Sequence, residues 1–420
     1  MVSRLNKILM DLKHLPRNIW VLAVGWLFWS PVQSMSGPYI QLYLSRLGAT
    51  PEDMSLVQSL QQYANAVARV IGGYIADRHG RKKVIWIGTL LVSITYLLMV
   101  FASEWRSYAI FSSLNSLFLF YQPALEGIQA DSVLLEARGR TYALMSFISG
   151  LASSMAPLGG AFAVNLLGLV DGVRLSFLLS ALVGFFITWM RSKFMEETIP
   201  PNSHNQGFIA SYKKTLSILR GKIATLVLVD VILNLIGGIT FLGNYYIYYY
   251  LGVDATSLGI LATLGGVTSL LFTLPAGFIA DKRGRSFSII WGYILGTLNL
   301  MIFVVIPPHA SYTLTLLIAS TLLGSIGGPL YGIAYSALRA DLVPKEHRGR
   351  VYAIWGIPPT IAWSIGAMIG GWMYNSLNPY MPFVAGLLLR LLLTPLIIVL
   401  FKNITSHIDE KLRGNVLRER

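Results

Sequence analysis

Apolar residues in this chain do not alternate with polar ones at the two-residue period of a half-buried strand. They run in stretches of roughly 20 residues or more, the length a helix needs to cross the hydrocarbon core of a bilayer. Such stretches fall near 18–45, 53–77, 83–102, 107–131, 141–167 and 173–193, and again near 222–250, 256–280, 287–306, 312–338, 350–376 and 380–401. The pattern predicts an all-α membrane protein of twelve transmembrane helices. The longest polar gap, from about Phe194 to Gly221, holds Pro200, Pro201, Lys213 and Lys214 and divides the spans into two sets of six. The expected organisation is a tail over 1–17, a six-helix bundle over 18–193, a linker over 194–221, a second bundle over 222–401 and a tail over 402–420.

Composition supports lipid as the solvent. Of the 420 residues 54% are hydrophobic and 12% charged, against about 25% charged in ordinary soluble domains. A net charge of +14 would suggest nucleic acid in a soluble protein, but its placement points elsewhere. All but five of the 33 Lys and Arg fall in the tails, the centre and alternate short loops. The five are Arg46, Arg106 and Arg174, in the opposite loops, and Arg69 and Arg390, within spans. Basic loops stay cytoplasmic, so both termini are expected inside a multi-pass protein of the cytoplasmic membrane. The basic start, broken by Pro16, lacks a small-residue cleavage site and reads as a retained tail. With no cysteine, disulfides and thiolate metal sites are excluded.

The two sets share a signal. Gly73-Tyr74-Ile75-Ala76-Asp77-Arg78-His79-Gly80-Arg81 recurs as Gly277-Phe278-Ile279-Ala280-Asp281-Lys282-Arg283-Gly284-Arg285, an offset of 204. Ala130-Asp131 and Glu136 to Ala143 recur as Ala340-Asp341 and Glu346 to Ala353, an offset of 210. Gly73 and its counterpart remove a side chain where another helix can approach; Gly80 and Gly284 permit a tight turn. Asp77 suits a neighbouring helix N-terminus, and Arg81 needs an acidic partner at its own depth, for which Asp131 and Asp341 are the candidates.

In these motifs, and over essentially its whole length, the chain resembles the major facilitator superfamily (MFS). The family's loop signature is present as Gly73, Asp77, Arg78, Gly80, Arg81 and Lys82; the second copy runs through Arg285 and then has Ser286 in place of a base. The resemblance implies two pseudo-twofold-related six-helix bundles, ion pairs Arg81–Asp131 and Arg285–Asp341, Asp77 near the start of the eleventh span and Asp281 near the fifth. Such contacts would hold the cytoplasmic side shut and break as the bundles rock.

Ionisable residues inside spans are costly and are functional candidates by default. Arg69 continues a stripe of Gln58, Gln62 and Asn65 on one face of the second span. Glu126 and Asp230, with Asn234 one turn further on, lie roughly 8–12 Å from the inner ends of the fourth and seventh spans at 1.5 Å per residue. A desolvated carboxylate can carry a proton at physiological pH. Trp26, Trp29, Gln33, Tyr121, Asn244, Tyr245, Tyr331 and Tyr335 are candidates to line an aromatic cavity, although core packing is the commoner role of any one of them. Ala156-Pro157-Leu158-Gly159-Gly160 approaches the G-P-x-x-G-G run of substrate–proton exchangers in the family, one residue short.

The expected function is secondary active transport of a small organic molecule by alternating access, with proton-coupled export in the manner of drug–proton antiporters favoured. Uptake of a sugar, peptide or metabolite is the alternative, and a lipid flippase or membrane enzyme is disfavoured. The six histidines show no ligand spacing and no phosphate-binding loop occurs. No metal, cofactor, ATP or nucleic acid is expected; the partners expected are substrate, protons and lipid, acting on a monomer.

Overall fold

The computed structural model describes residues 16–133, 138–198, 220–343 and 348–418. Most of the expected tail 1–17 and linker 194–221, together with Glu136, Ala137, Glu346 and His347 of the second repeated motif, lie outside them. Among the described residues every regular element is helical. In chain order these are α1 (Arg17–Ser36), α2 (Ile40–Arg46), α3 (Pro51–His79), α4 (Arg81–Val100), α5 (Trp105–Phe118), α6 (Gln122–Asp131), α7 (Arg138–Leu167) and α8 (Leu169–Phe194). They continue as α9 (Lys222–Ile239), α10 (Gly243–Tyr249), α11 (Ala255–Arg283), α12 (Arg285–Val305), α13 (Thr313–Leu342), α14 (Arg348–Ser376) and α15 (Met381–Arg418). Eight helices among the described residues are long and apolar enough to cross a bilayer, so the chain is a multi-pass membrane protein. Helix α15 runs on without a break past 401, where a span was expected to end.

Three apolar runs read as single helices contain interruptions. Short 3-10 turns at Gly37–Tyr39 and Leu119–Tyr121 separate α1 from α2 and α5 from α6, and a turn at Thr240–Leu242 separates α9 from α10. Pro38 and Pro123, placed at or just after two of these sites, lack the N–H that a continuous helix would use there. The corresponding C-terminal helix α13 is unbroken despite Pro329.

Helix starts follow local chemistry. Thr50 caps α3 in a reciprocal box with Asp53, and Asp254 caps α11 through the Thr256 amide at 3.2 Å. Between α3 and α4, and again between α11 and α12, the chain turns on Gly80 (φ +86°) and Gly284 (φ +97°). That region of φ is one L side chains rarely adopt.

Small residues fix the close approaches, and they do so twice. A Cβ on Gly160 of α7 would lie 2.1 Å from the Met35 carbonyl oxygen of α1; one on Gly370 of α14 would lie 2.2 Å from the Ile239 carbonyl of α9. Gly88 of α4 admits the Tyr121 ring, and Gly292 of α12 admits the Tyr331 backbone. These contacts carry the offsets of 204 and 210 from motif to atomic packing, and they identify the equivalent residue in the other half for any position on these helices.

Candidate functional site

Among the described residues the two halves of the sequence touch from the end away from the basic turns as far as the middle of the helices, where a Cβ on Gly150 would lie 3.1 Å from Leu270. Tyr39, Tyr43 and Leu44 share an apolar core with Leu242, Tyr246 and Leu258, all on the side away from the Gly80 and Gly284 turns. Gln41 ties across twice, donating to the Phe241 carbonyl (2.7 Å) and accepting from the Tyr245 amide (2.9 Å). Asn165 donates to Thr256 (2.8 Å) and Ser59 to the Ser364 carbonyl (3.0 Å). Toward the basic turns each half keeps its own core. One is built from Ile19, Ile85, Ile128 and their neighbours, the other from Leu226, Ile289, Trp355 and theirs.

On α3, Leu60, Tyr63, Val67, Ile71 and Tyr74 form an exposed apolar stripe suited to lipid. Asn65 and Arg69 lie on the opposite face. The Arg69 guanidinium takes Asn65 Oδ1 at 3.2 Å and Gln122 Oε1 at 3.4 Å. Gln122 opens α6, and Glu126 stands one turn further on the same face, exposed and turned from buried Ala124, Leu125 and Ile128. Arg69 and Gln122 are thus joined, and exposed Glu126 lies one turn beyond Gln122 on the same face of α6.

The acid of the C-terminal half has different surroundings. Asp230 of α9 is half-buried; the Trp355 indole N–H of α14 donates to its Oδ2 at 2.6 Å. Tyr335 also faces it, and the Arg339 charge lies nearby. Arg339 lies over the Trp355 ring at 4.4 Å and the Tyr352 ring at 4.8 Å. Asn234 donates to the Asp230 backbone carbonyl (2.8 Å).

At the offsets established by packing, Asp230 and Arg339 stand where the N-terminal half has Trp26 and Gln129, and Arg69 and Glu126 stand where the C-terminal half has Thr273 and Ser336. These two acids and two bases therefore stand at non-equivalent positions in the two halves. In the N-terminal half they are exposed; in the C-terminal half they are held by aromatic rings.

The residues of the duplicated turns pair within each half. Arg81 pairs with Asp131, aided by Gly127, which leaves room for the guanidinium, and Arg285 Nε lies 3.1 Å from Asp341. Both pairs join helices of the same half, so they cannot by themselves hold the two halves together. The side chains of Gly73 and Asp77, and those at the starts of α7 and α14, lie outside the described residues. Arg78 and Asp281 are exposed, and a Cβ on Gly277 would meet nothing within 4 Å.

Tyr121, expected in a cavity, is buried behind Gly88 with Arg191 5.6 Å from its ring. Tyr335 is buried against Phe401 and Tyr331, and its hydroxyl reaches the Leu226 carbonyl (3.3 Å). Trp29 stacks edge-on against Tyr96, whose hydroxyl accepts from Gln33 at 2.8 Å. Tyr245 stacks on Tyr374 and Tyr249 in the seal between the halves, with Asn244 half-buried beside it. Trp26 is partly buried against the N-terminal core. Trapped rings pack well, and that is what decided these positions.

Counting charges by loop misplaced two arginines and overlooked two other groups. Arg191, assigned to the central segment, is 4% exposed within α8 and donates to Thr89 Oγ1 at 2.6 Å. Arg339, assigned to a loop, lies inside α13. Trp355 carried no sequence signal. Glu197 accepts from the Arg81 and Lys82 amides (3.1 and 2.9 Å), neutralising the start of α4; a carboxylate just after an apolar run was the one available hint.

Comparison with known proteins agrees with this architecture. The Multidrug resistance protein MdtG of Salmonella typhimurium is 27% identical over 299 residues, 68% of this chain and 72% of its own. An uncharacterized MFS-type transporter of Methanocaldococcus jannaschii is 23% identical over 411 residues, 90% and 94% of the two chains. Among solved structures, a POT family transporter in complex with 5-aminolevulinic acid superposes with a TM-score of 0.74 at 14% identity, covering 93% of this chain and 97% of that one. The nucleoside transporter NupG gives 0.68 at 14%, covering 92% and 98%. These likenesses place the fold as MFS-type. Residues 22–249 and 226–415 each match the profile of the Major Facilitator Superfamily, and the chain belongs to that family of transporters.

Proposed function

We propose that this MFS transporter exports small amphipathic organic compounds in exchange for protons. Its twelve spans form two pseudo-twofold-related six-helix bundles that rock about a central cavity. The basic turns and both termini face the cytoplasm, and the protein works as a monomer in the cytoplasmic membrane. With the halves joined at the opposite end, the geometry fits a state open to the cytoplasm. The Gly73–Arg81 and Gly277–Arg285 turns with Asp131 and Asp341 then serve as the gate that closes when the bundles rock back. The observation that carries the reading is Glu126, an exposed carboxylate on α6 one turn beyond Gln122, the partner of Arg69, which can exchange a proton for a cationic or polar substrate group. Arg69, beside Gln122, keeps these surroundings polar and wet. The relationship to proteins named for multidrug resistance supports export and an amphipathic substrate class.

The test is transport in proteoliposomes with an imposed pH gradient, screened against a panel of amphipathic compounds. Exchange predicts that substrate and proton move in opposite directions. Glu126→Gln is expected to lower gradient-driven transport at least about tenfold, the effect of a barrier increase of about 1.4 kcal/mol. Asp230→Asn should abolish its pH dependence. Co-directional movement of substrate and proton would replace export by uptake, and wild-type coupling in both variants would remove the two carboxylates from the mechanism.

A further inference from the structure

We propose that Trp355 and Arg339 are positioning residues that tie helix α14 to the charge on Asp230, so that a proton arriving at Asp230 loosens the end of α14 around Trp355 from α9. The inference rests on reading Asp230 as a proton-carrying group and adds how that proton is sensed. Trp355 is 1% exposed and presents two surfaces. Its ring edge donates the 2.6 Å hydrogen bond to Asp230, and its face carries the Arg339 guanidinium at 4.4 Å. A hydrogen bond to an ionised acceptor is roughly twice as strong as one between neutral groups, and a desolvated cation over an indole face is stabilised by the ring. With Asp230 ionised, the chain of α9, Trp355 and Arg339 is held by opposite charges at its ends. Once Asp230 is neutral, the bond weakens and the Arg339 cation is left among rings without its counter-charge.

The surroundings direct the effect to α14. From α13, Tyr331 and Tyr335 face Asp230 together with Arg339. On α9 itself Lys222 reaches the Ile404 carbonyl of α15 at 3.5 Å. On α15, Arg390 is engaged with Thr297 and the Tyr293 carbonyl, both at 3.1 Å. Helix α14 also meets the other half, where Ser364 accepts from Ser59 and Gly371 packs on Ser55. Nine residues, about 14 Å of helix, separate Trp355 from Ser364, so a tie at Trp355 sets the tilt of an interface helix. The N-terminal equivalents are Trp26, Gln129 and Met145, with Gln129 Nε2 3.9 Å from the Met145 sulfur. None of these three is an acid or a base, which confines the tie through Trp355 to one half.

The absence of cysteine permits a direct test on the full chain in lipid nanodiscs, with protons as the only ligand. Spin labels at Lys193→Cys and Lys402→Cys, both exposed positions, report the separation of the halves at the basic end. Between about pH 5 and about pH 8.5, spanning the range open to buried carboxylates, the ratio of the two distance populations is expected to change about tenfold in the wild type. Asp230→Asn should make it independent of pH. Trp355→Phe, which keeps the ring and removes the N–H, and Arg339→Met should each reduce the change at least about threefold, with Arg339→Lys restoring part of it. The two positions are read separately, so loss of the fold in one variant leaves the other to decide. A wild-type response in both, with Asp230→Asn unresponsive, overturns the tie and leaves Asp230 as a proton site. A wild-type response in Asp230→Asn itself overturns the reading of Asp230 and the tie with it.

Discussion

The N-terminal and C-terminal halves use the same packing and different charges. Gly160 of α7 against α1 and Gly370 of α14 against α9 bring backbones equally close, and Arg81–Asp131 is matched by Arg285–Asp341. The acids Glu126 and Asp230 and the bases Arg69 and Arg339 follow no such rule. Glu126 and Arg69 are accessible, whereas Asp230 and Arg339 are gripped by Trp355 and its neighbours. Packing tolerates little change, because a clash at a backbone contact has nowhere to relax. Charges away from such contacts are free to diverge, and the two halves set theirs differently: exposed in the first, held by aromatic rings in the second.

The largest expected effects test the shared part. Gly160→Val and Gly370→Val each press a side chain onto a backbone carbonyl and should each cost about 3 kcal/mol, read as similar drops in thermal midpoint in detergent. Unequal drops would show that the two approaches are not equivalent. A smaller pair tests the difference. Thr89→Val takes from buried Arg191 its hydroxyl acceptor, at a cost of about 2 kcal/mol for a bond to a charged group. Thr297→Val should cost about 1 kcal/mol, because half-buried Arg390 keeps the Tyr293 carbonyl. Equal costs would mean that the two arginines are equally dependent on their threonines.

The smallest effects lie at two equivalent helix starts, Thr50 and Asp254. Replacing either cap with alanine should cost about 1 kcal/mol, but only one of the two caps titrates. Partial burial works to raise the Asp254 carboxyl, and hydrogen bonds from Ser257 and Thr256 outweigh it, holding the group below its ordinary value. A depressed folded value contributes stability above the unfolded value of about 3.9 and loses it as pH falls through the folded one. Thermal midpoints of wild type and Asp254→Ala should therefore converge below about pH 4. For Thr50→Ala the difference arising from Thr50 itself should persist, since its hydroxyl does not titrate.

Much of this architecture was open to reading from residues in order. The helical class and the duplicated turns follow from run length and from glycine at turns, which are local, whereas the pairings Arg81–Asp131 and Arg285–Asp341 came from the resemblance to the family. Harder to see were Arg191 and Arg339, which look like ordinary basic flanks of apolar runs until neighbouring helices enclose them. Trp355 gave no signal because an indole in an apolar run reads as packing. The 3-10 turn at Leu119–Tyr121 was hidden in an unbroken hydrophobic stretch.

What the linear order determined was which segments are helical and where charge stays in water, since the bilayer imposes both on each segment separately. Tertiary structure alone decided which end joins the halves, which rings became core and which carboxylate was caught by an indole. Those outcomes depend on the rotation of each helix against others far away in the sequence, and a rotation of half a turn exchanges a cavity residue for a buried one.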